Sequence, residues 1–354
     1  MATVSQCIMA LLGALLCLST PVFSVSFTYT TPRGFFLQED PSLNSSPPDY
    51  TKISYGLLNR SYPTDQSHSN NNNNSSPTKP PWSRFTDYLT ALNRNNRNNP
   101  TNNNNNTTYY KLLYLARHGE AHHNVAQSYY GTKCWDCYWS QQPGNGTKTW
   151  LDAEMTTRGV AQIQASNVFW RDVAPAEEIP FPRSFYVSPM ARTLATANLT
   201  FASLPVWNGS GRFKPVVKES LRETINQCTC AWRHPRSRIA ARFPDYEFEE
   251  GFSEEDDLFT GKTIESASAQ ALRIKGFLDD LFENDESLVV SVTTHGVNIN
   301  PLLGVVGHPN PRFNITTGQA VAMLVAAQRV EGEKGGVGEP PVSAEVCGVC
   351  GPVG

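Results

Sequence analysis

Lys111-Leu112-Leu113-Tyr114-Leu115-Ala116-Arg117-His118-Gly119-Glu120 opens with a compact apolar run that leads straight into a polar cluster. A short apolar run of this length reads as a buried strand, here Lys111–Ala116. The same arrangement recurs twice. Arg183–Val187 leads into Ser188-Pro189-Met190-Ala191-Arg192-Thr193, and Leu288–Thr293 leads into Thr294-His295-Gly296. Helical spacing fills the intervals: Val160–Trp170, Ala191–Leu204, a weaker pattern at Arg236–Phe243, and Ile274, Phe277, Leu278, Leu281 and Phe282 on one face. Ala320–Ala327 reads as a final strand. Strands alternating with helices predict an α/β three-layer sandwich, its central sheet mostly parallel and flanked by helices.

In such a sheet, ligands bind beyond the carboxyl ends of the strands. Each polar cluster stands there and opens a helix, whose free N–H groups and partial positive charge suit phosphate. Ser188-Pro189 is expected to be an N-cap followed by proline at the first helical position. Two arginines, two histidines and several helix starts on one rim describe a phosphoryl pocket.

At this point a family resemblance appears. Leu115-Ala116-Arg117-His118-Gly119-Glu120, with Asn124 six residues after His118, resembles the Arg-His-Gly signature of the histidine phosphatase superfamily. Trp150-Leu151-Asp152-Ala153-Glu154-Met155-Thr156 with Gly159, then Ser188–Thr193, Leu221-Arg222-Glu223 and Thr294-His295-Gly296 are similar to its further elements, in order. The branch is phosphoglycerate-mutase-like; acid phosphatases and phytases would continue Arg-His-Gly-x-Arg-x-Pro and close on His-Asp. The resemblance is firmest over 111–330. It extends less firmly to 33–93, where Arg33-Gly34-Phe35-Phe36 and Trp82–Leu92 look like the leader of fungal members. It implies that His118 is the nucleophile that becomes phosphohistidine. Arg117, Arg192 and His295, joined by Asn124, would bind the phosphoryl oxygens, and Glu223 would protonate the leaving alcohol. It implies no metal and no other cofactor, with a small phosphorylated substrate as the partner.

Physical chemistry runs parallel to these roles. Phosphoryl transfer needs positioning and charge neutralisation above all. Guanidinium groups disfavour a charged imidazole, so His118 keeps the lone pair that attack requires. A carboxyl near a dianionic phosphate is pushed toward its protonated form, as a general acid should be. Alternatives stand beside several assignments. Glu219, Glu249, Glu250, Glu254 and Glu255 are other carboxylates, Asn124 suits a turn as well as a phosphate, and His122 and His123 read as structural. Glu120 is expected to hydrogen-bond near the pocket. Arg233, His234, Arg236 and Arg238 are expected either to roof the pocket and read the substrate or to form a solvated basic face.

The remaining chain divides into a leader over 1–24, an irregular Asn/Ser/Pro-rich extension with one short helix over 25–109, the catalytic domain over 110–330, and a Gly/Pro-rich tail over 331–354. Ile8–Leu18 is an apolar run, Pro21 breaks it, and Val22-Phe23-Ser24 suits cleavage, so secretion is expected, with a retained anchor as the alternative. Ten Asn-x-Ser/Thr sequons agree with that compartment, and those at Asn145, Asn198, Asn208 and Asn314 lie in the globular part. Without Cys7 and Cys17, six of the eight cysteines remain, in the close pairs Cys134/Cys137, Cys228/Cys230 and Cys347/Cys350. Disulfides are expected rather than zinc, with connectivity left open. A net charge of −3 offers no basic footprint for nucleic acid and no polybasic block for a membrane. Three functions compete: a phosphomonoester phosphatase, a phosphomutase sharing the phosphohistidine, and an inactive anion-binding secreted glycoprotein.

Overall fold

The computed structural model describes residues 26–43, 48–68, 79–97, 107–207, 213–311, 314–330, 342–343 and 350. The expected leader therefore lies outside the described residues. Strands run in chain order as β1 (Ser26–Thr30), β2 (Thr108–Arg117), β3 (Ser184–Val187), β4 (Val216–Val217), β5 (Glu247–Phe248), β6 (Thr263–Ile264), β7 (Val289–Thr294), β8 (Ala320–Val330) and β9 (Val342–Ser343). The helices are α1 (Pro81–Arg97), α2 (His122–Tyr130), α3 (Thr132–Cys137), α4 (Thr157–Val168), α5 (Ala174–Ala176), α6 (Ala191–Phe201), α7 (Arg236–Arg242), α8 (Ala267–Asn284) and α9 (Gly296–Val305).

Seven strands form one sheet in the order β1-β8-β2-β7-β3-β4-β5. From β2 to β5 all neighbours are parallel, while β8 runs antiparallel to β2 and β1 antiparallel to β8. The alternation along β2 shows why both faces must be covered. Leu112 and Tyr114 enter one core, with Trp82, Phe85 and Leu89 of α1 and Leu194, Ala197 and Phe201 of α6. Leu113 and Leu115 enter the other, with Ile274, Phe277, Leu278 and Leu281 of α8 and Ile299, Leu302 and Leu303 of α9. Successive side chains of a strand point to opposite faces, so one apolar run feeds both layers. The expected three-layer α/β sandwich is the fold.

The segment before residue 110 is less irregular than its composition suggested. Ser26–Thr30 is the edge strand beside β8, and Phe27 and Tyr29 are buried under α8, where the Tyr29 hydroxyl donates to Asp279 (2.7 Å). Phe35, Phe36, Tyr50, Tyr55 and Tyr62 belong to the first core, and α1 has 17 residues. Apolar contact with the finished sheet orders this stretch, and neither its Ser/Pro content nor its periodicity announces that. In the expected Gly/Pro-rich tail, β9 pairs with β6 and Cys350 is disulfide-bonded to Cys134. Among the described residues, no helix is long and apolar enough to cross a membrane.

Candidate active site

The ends of the parallel strands bring the site together. Arg117 lies opposite Thr294 in the β2–β7 pairing, and Val187 lies opposite Thr293 in the β3–β7 pairing. The next residues, His118, His295 and Ser188, therefore share one rim. The His118 N–H donates to the Thr294 carbonyl (3.1 Å) and the Ser188 N–H to that of Thr293 (3.0 Å). The loop after β2 is fastened to the start of α4. The Thr156 hydroxyl donates to the Glu120 carboxylate (2.7 Å) and accepts the Gly159 N–H (3.0 Å). A Cβ at Gly159 would stand 2.0 Å from the Glu120 carbonyl oxygen, so only glycine fits. Glu120 thus has the structural part expected of it.

His118 is buried at the wall of a cavity of about 520 Å³. Its Nδ1 lies 2.8 Å from the Gly119 carbonyl oxygen. A carbonyl only accepts, so Nδ1 carries the proton and Nε2 keeps its lone pair. Burial first, then the charges of Arg192, His295, His123 and Arg117, hold this imidazole well below the usual histidine range. The ring is neutral at neutral pH, as a nucleophile must be.

Around it stand the groups for an anion. The Arg117 guanidinium lies against Gly296, where a Cβ would come within 3.1 Å of it, and Nη1 donates to the Ile315 carbonyl (2.7 Å). Arg192 is wholly buried beneath the cavity, donating to the Cys230 carbonyl (3.0 Å) and the Glu223 carboxylate (2.9 Å). The Nε atoms of both arginines are buried without a hydrogen-bond partner among the described residues. Such donors are costly to leave unpaired, and a bound phosphoryl group would supply acceptors. His295 is equally buried, its ring centroid 5.1 Å from that of His118. Its Nε2 is 2.8 Å from the Ser188 hydroxyl and its Nδ1 3.0 Å from the Glu223 carboxylate. These contacts fit a neutral ring that donates from Nδ1 to Glu223 and accepts from Ser188 at Nε2. Burial and Arg192 pull His295 down to about 4 against the opposing pull of Glu223.

Glu223 lines the cavity. Burial alone would raise its carboxyl, but the His295 contact and the Arg192 guanidinium outweigh burial and hold it well below the usual range. We regard the pair as an ionised carboxylate beside a neutral imidazole, because the guanidinium at 2.9 Å is always charged.

Of the residues singled out in the sequence, Arg117, His118, Asn124 and Glu223 line the cavity, while Arg192 and His295 form the layer beneath. Asn124 also has a local task, accepting the Ala121 N–H (3.0 Å) and contacting His123 Nε2 (3.0 Å). His123 is buried on the cavity wall beside His118, and His122 is not on the wall. None of the competing carboxylates lines the cavity: Glu219 pairs with Arg222 and Arg233, Glu249 with Lys218, Glu254 accepts from Ser237, and Glu250 and Glu255 are exposed.

Two expectations are corrected. Ser188 does not cap α6; Met190 holds the N-cap position without a side-chain bond, and buried Asp152 accepts the Ala191 N–H (2.8 Å) instead. The strand geometry turns the Ser188 hydroxyl toward His295. Of the two readings of the basic segment the roof is the one that fails, since Arg233, His234, Arg236 and Arg238 are all off the cavity wall, and Arg236 and Arg238 are exposed as the solvated face requires. Arg233 is fully buried, bonded to Glu219 and to the carbonyls of Ser253, Glu254 and Glu255, and Arg236 lies over the Phe248 ring. That segment reaches the cavity only through Cys228 and Cys230, which are disulfide-bonded to each other.

The sequence reading missed Asn298. Buried in α9, it donates to the carbonyls of Leu221 (2.8 Å) and Arg222 (2.5 Å) and accepts from Gln270 (2.8 Å), fixing the loop that carries Glu223. Its position two residues past Gly296, on the first turn after a strand-end cluster, was the available signal. Ligand atoms of His118, Glu223 and His295 lie within 4.8 Å of one another. The guanidinium beside that carboxylate suits an anion better than a cation at this point.

Comparison with known proteins agrees with the geometry. Residues 138–328 match the model of the histidine phosphatase superfamily (branch 1), a span that opens after the Arg117-His118 strand. Over 298 residues, 84% of each chain, the protein is 38% identical to the "Probable phosphoglycerate mutase" of Arthroderma benhamiae. It is 37% identical to "Phosphomutase-like protein 3" of Candida albicans, over 62% of this chain and 66% of that one. Among solved structures, a phosphoglycerate mutase from Bacillus anthracis aligns with a TM-score of 0.39 and 17% identity, covering 62% of this chain and 89% of its own. The alpha-ribazole phosphatase from Shigella flexneri aligns with a TM-score of 0.36 and 20% identity, covering 60% and 94%.

Proposed function

Since the chain belongs to the histidine phosphatase superfamily, we propose that it hydrolyses small phosphomonoesters through a phosphohistidine on His118. The observation that carries this reading is the bond from His118 Nδ1 to the Gly119 carbonyl, which leaves Nε2 unprotonated beside Arg117 and Arg192. The Nε2 lone pair attacks phosphorus as the bond to the ester oxygen breaks. The electron pair leaves on that oxygen, which takes a proton from Glu223. Water then attacks phosphorus, Glu223 accepts its proton, and the N–P bond breaks to restore His118. Glu223 is ionised in the free enzyme, so the proton must arrive with or after the substrate. A dianionic ester draws on the charge of Arg192 and adds negative charge nearby, and both raise the carboxyl. The relatives' names favour a second reading, a mutase that returns the phosphoryl group to an acceptor alcohol instead of to water.

The test is purified protein with para-nitrophenyl phosphate and a chelator, against His118→Ala. Chelator-resistant release that vanishes in the variant is expected. Transfer between phosphoglycerates with little hydrolysis would favour the mutase, and no turnover of any ester would leave an anion-binding protein.

Secretion is part of the proposal. It is supported by the leader sequence and by cysteines engaged in disulfides at Cys134–Cys350 and Cys228–Cys230. Asn145 is the best-placed acceptor for glycan, on an exposed turn where its side chain bonds Thr147. Asn198 lies inside α6 with Thr200 buried, Asn208 is outside the described residues, and exposed Asn314 borders the cavity.

A further inference from the structure

The cavity is far larger than a phosphoryl group, and its outer wall has a character of its own. Besides Asn124 and Gln227, which are engaged by protein groups, Gln127 of α2, Asn226 from the loop after Glu223, Asn300 of α9 and Asn314 before β8 bring four more side-chain amides to the wall from separate parts of the chain. Among the described residues, the side chains of Gln127, Asn300 and Asn314 have no hydrogen-bond partner, and Asn226 uses only its oxygen, on the Cys228 N–H (2.8 Å). Arg117 is the one arginine or lysine on the wall among the described residues, and its guanidinium is held against Gly296 and the Ile315 carbonyl. Apart from Glu223, the carboxylate on the wall is Asp136.

Each amide offers a donor and an acceptor together, which is the demand of a hydroxyl group. A carboxylate or second phosphate would need a cation, and here it would meet neutral amides and the repulsion of Asp136. We infer that the site selects phosphomonoesters of neutral, hydroxyl-rich alcohols, sugar or polyol phosphates, over esters whose leaving group carries another anion. The inference rests on the phosphatase reading and names the substrate class of that same site. It sets this chain's specificity apart from the phosphoglycerate named for its relative.

The experiment compares kcat/KM for glycerol 1-phosphate and glucose 6-phosphate with that for 3-phosphoglycerate at fixed ionic strength, with para-nitrophenyl phosphate as the reference ester. The neutral-alcohol esters should exceed 3-phosphoglycerate at least tenfold. Asn300→Lys, at an exposed position that tolerates the longer side chain, should narrow that ratio at least fivefold, chiefly by lowering KM for 3-phosphoglycerate. A ratio near one or below, or one that the lysine leaves untouched, overturns the inference while para-nitrophenyl phosphate turnover keeps the phosphatase reading standing. Failure to hydrolyse any ester removes both.

Discussion

At the residue scale the proposed reaction turns on two protons, one fixed on His118 Nδ1 and one that must reach Glu223. A general acid matters in proportion to how poor the leaving group is. Para-nitrophenolate departs without help, whereas an alkoxide does not. Glu223→Gln should therefore lower kcat for glycerol 1-phosphate by about 10²–10⁴, the usual range for general acid catalysis. The loss for para-nitrophenyl phosphate should be far smaller. Equal losses for both esters would mean that Glu223 serves binding alone. That His118, Arg117, Arg192 and Glu223 would meet around one cavity was legible in the sequence because each follows a recognisable strand or motif. The unpaired Nε atoms of Arg117 and Arg192 were not, since burial without a partner is a property of the assembled chain.

Among the elements, the strand ends were read correctly and the helix starts less so. Ser188-Pro189 has the composition of a helix start, yet the sheet register directs Ser188 to His295 and Asp152 serves α6 from a distant loop. Local propensity cannot foresee a cap supplied 39 residues away. Ser26–Thr30 escaped notice for a related reason: an edge strand of five residues takes its definition from its partner β8. Asn298 ties α9 to the Glu223 loop through two donated bonds, to the carbonyls of Leu221 and Arg222. Asn298→Ala removes these two bonds and the one accepted from Gln270, while the Leu221 and Arg222 carbonyls keep the Thr294 hydroxyl and Arg273, and should cost about 2 kcal/mol. At about 2–4 °C per kcal/mol for a chain above 150 residues, Tm should fall by roughly 4–8 °C. Its kcat should also fall more for glycerol 1-phosphate than for para-nitrophenyl phosphate, because the acid is misplaced. A drop in Tm with both esters affected alike would reduce Asn298 to a stabilising residue.

For the whole molecule, burying the site stores a dependence on pH. His118, His123 and His295 are held below their ordinary value of 6.5, so the unfolded chain binds more protons than the folded one below that pH. Their stabilising effect is present above pH 6.5 and is lost as pH falls toward the folded value, about 4 for His295. Asp152 opposes this: burial raises it to about 6 from 3.8, so its effect favours the fold on acidification through that window. Glu39, Asp136 and Glu219 are raised as well. The lowered histidines, joined by His122, His234, His308 and the lowered carboxyls of Glu223 and Asp256, outweigh them, and Tm should fall between pH 6.5 and 4.5, more steeply in Asp152→Asn. A Tm that rises over that range would contradict the buried neutral histidines. The sandwich and its central motifs were visible in the sequence because they depend on periodicity and order. The aromatic contribution of residues 35–62 to the core, and the link from Cys134 to Cys350, depend on long-range contact and were not.

The most direct measurement is to mix the protein with a phosphomonoester, quench within milliseconds in base, and locate the phosphoryl group by peptide mass spectrometry. A phosphohistidine mechanism requires acid-labile, base-stable phosphate on the peptide carrying His118. Phosphate on another side chain, or steady turnover with His118 never labelled under conditions that preserve phosphohistidine, would contradict it.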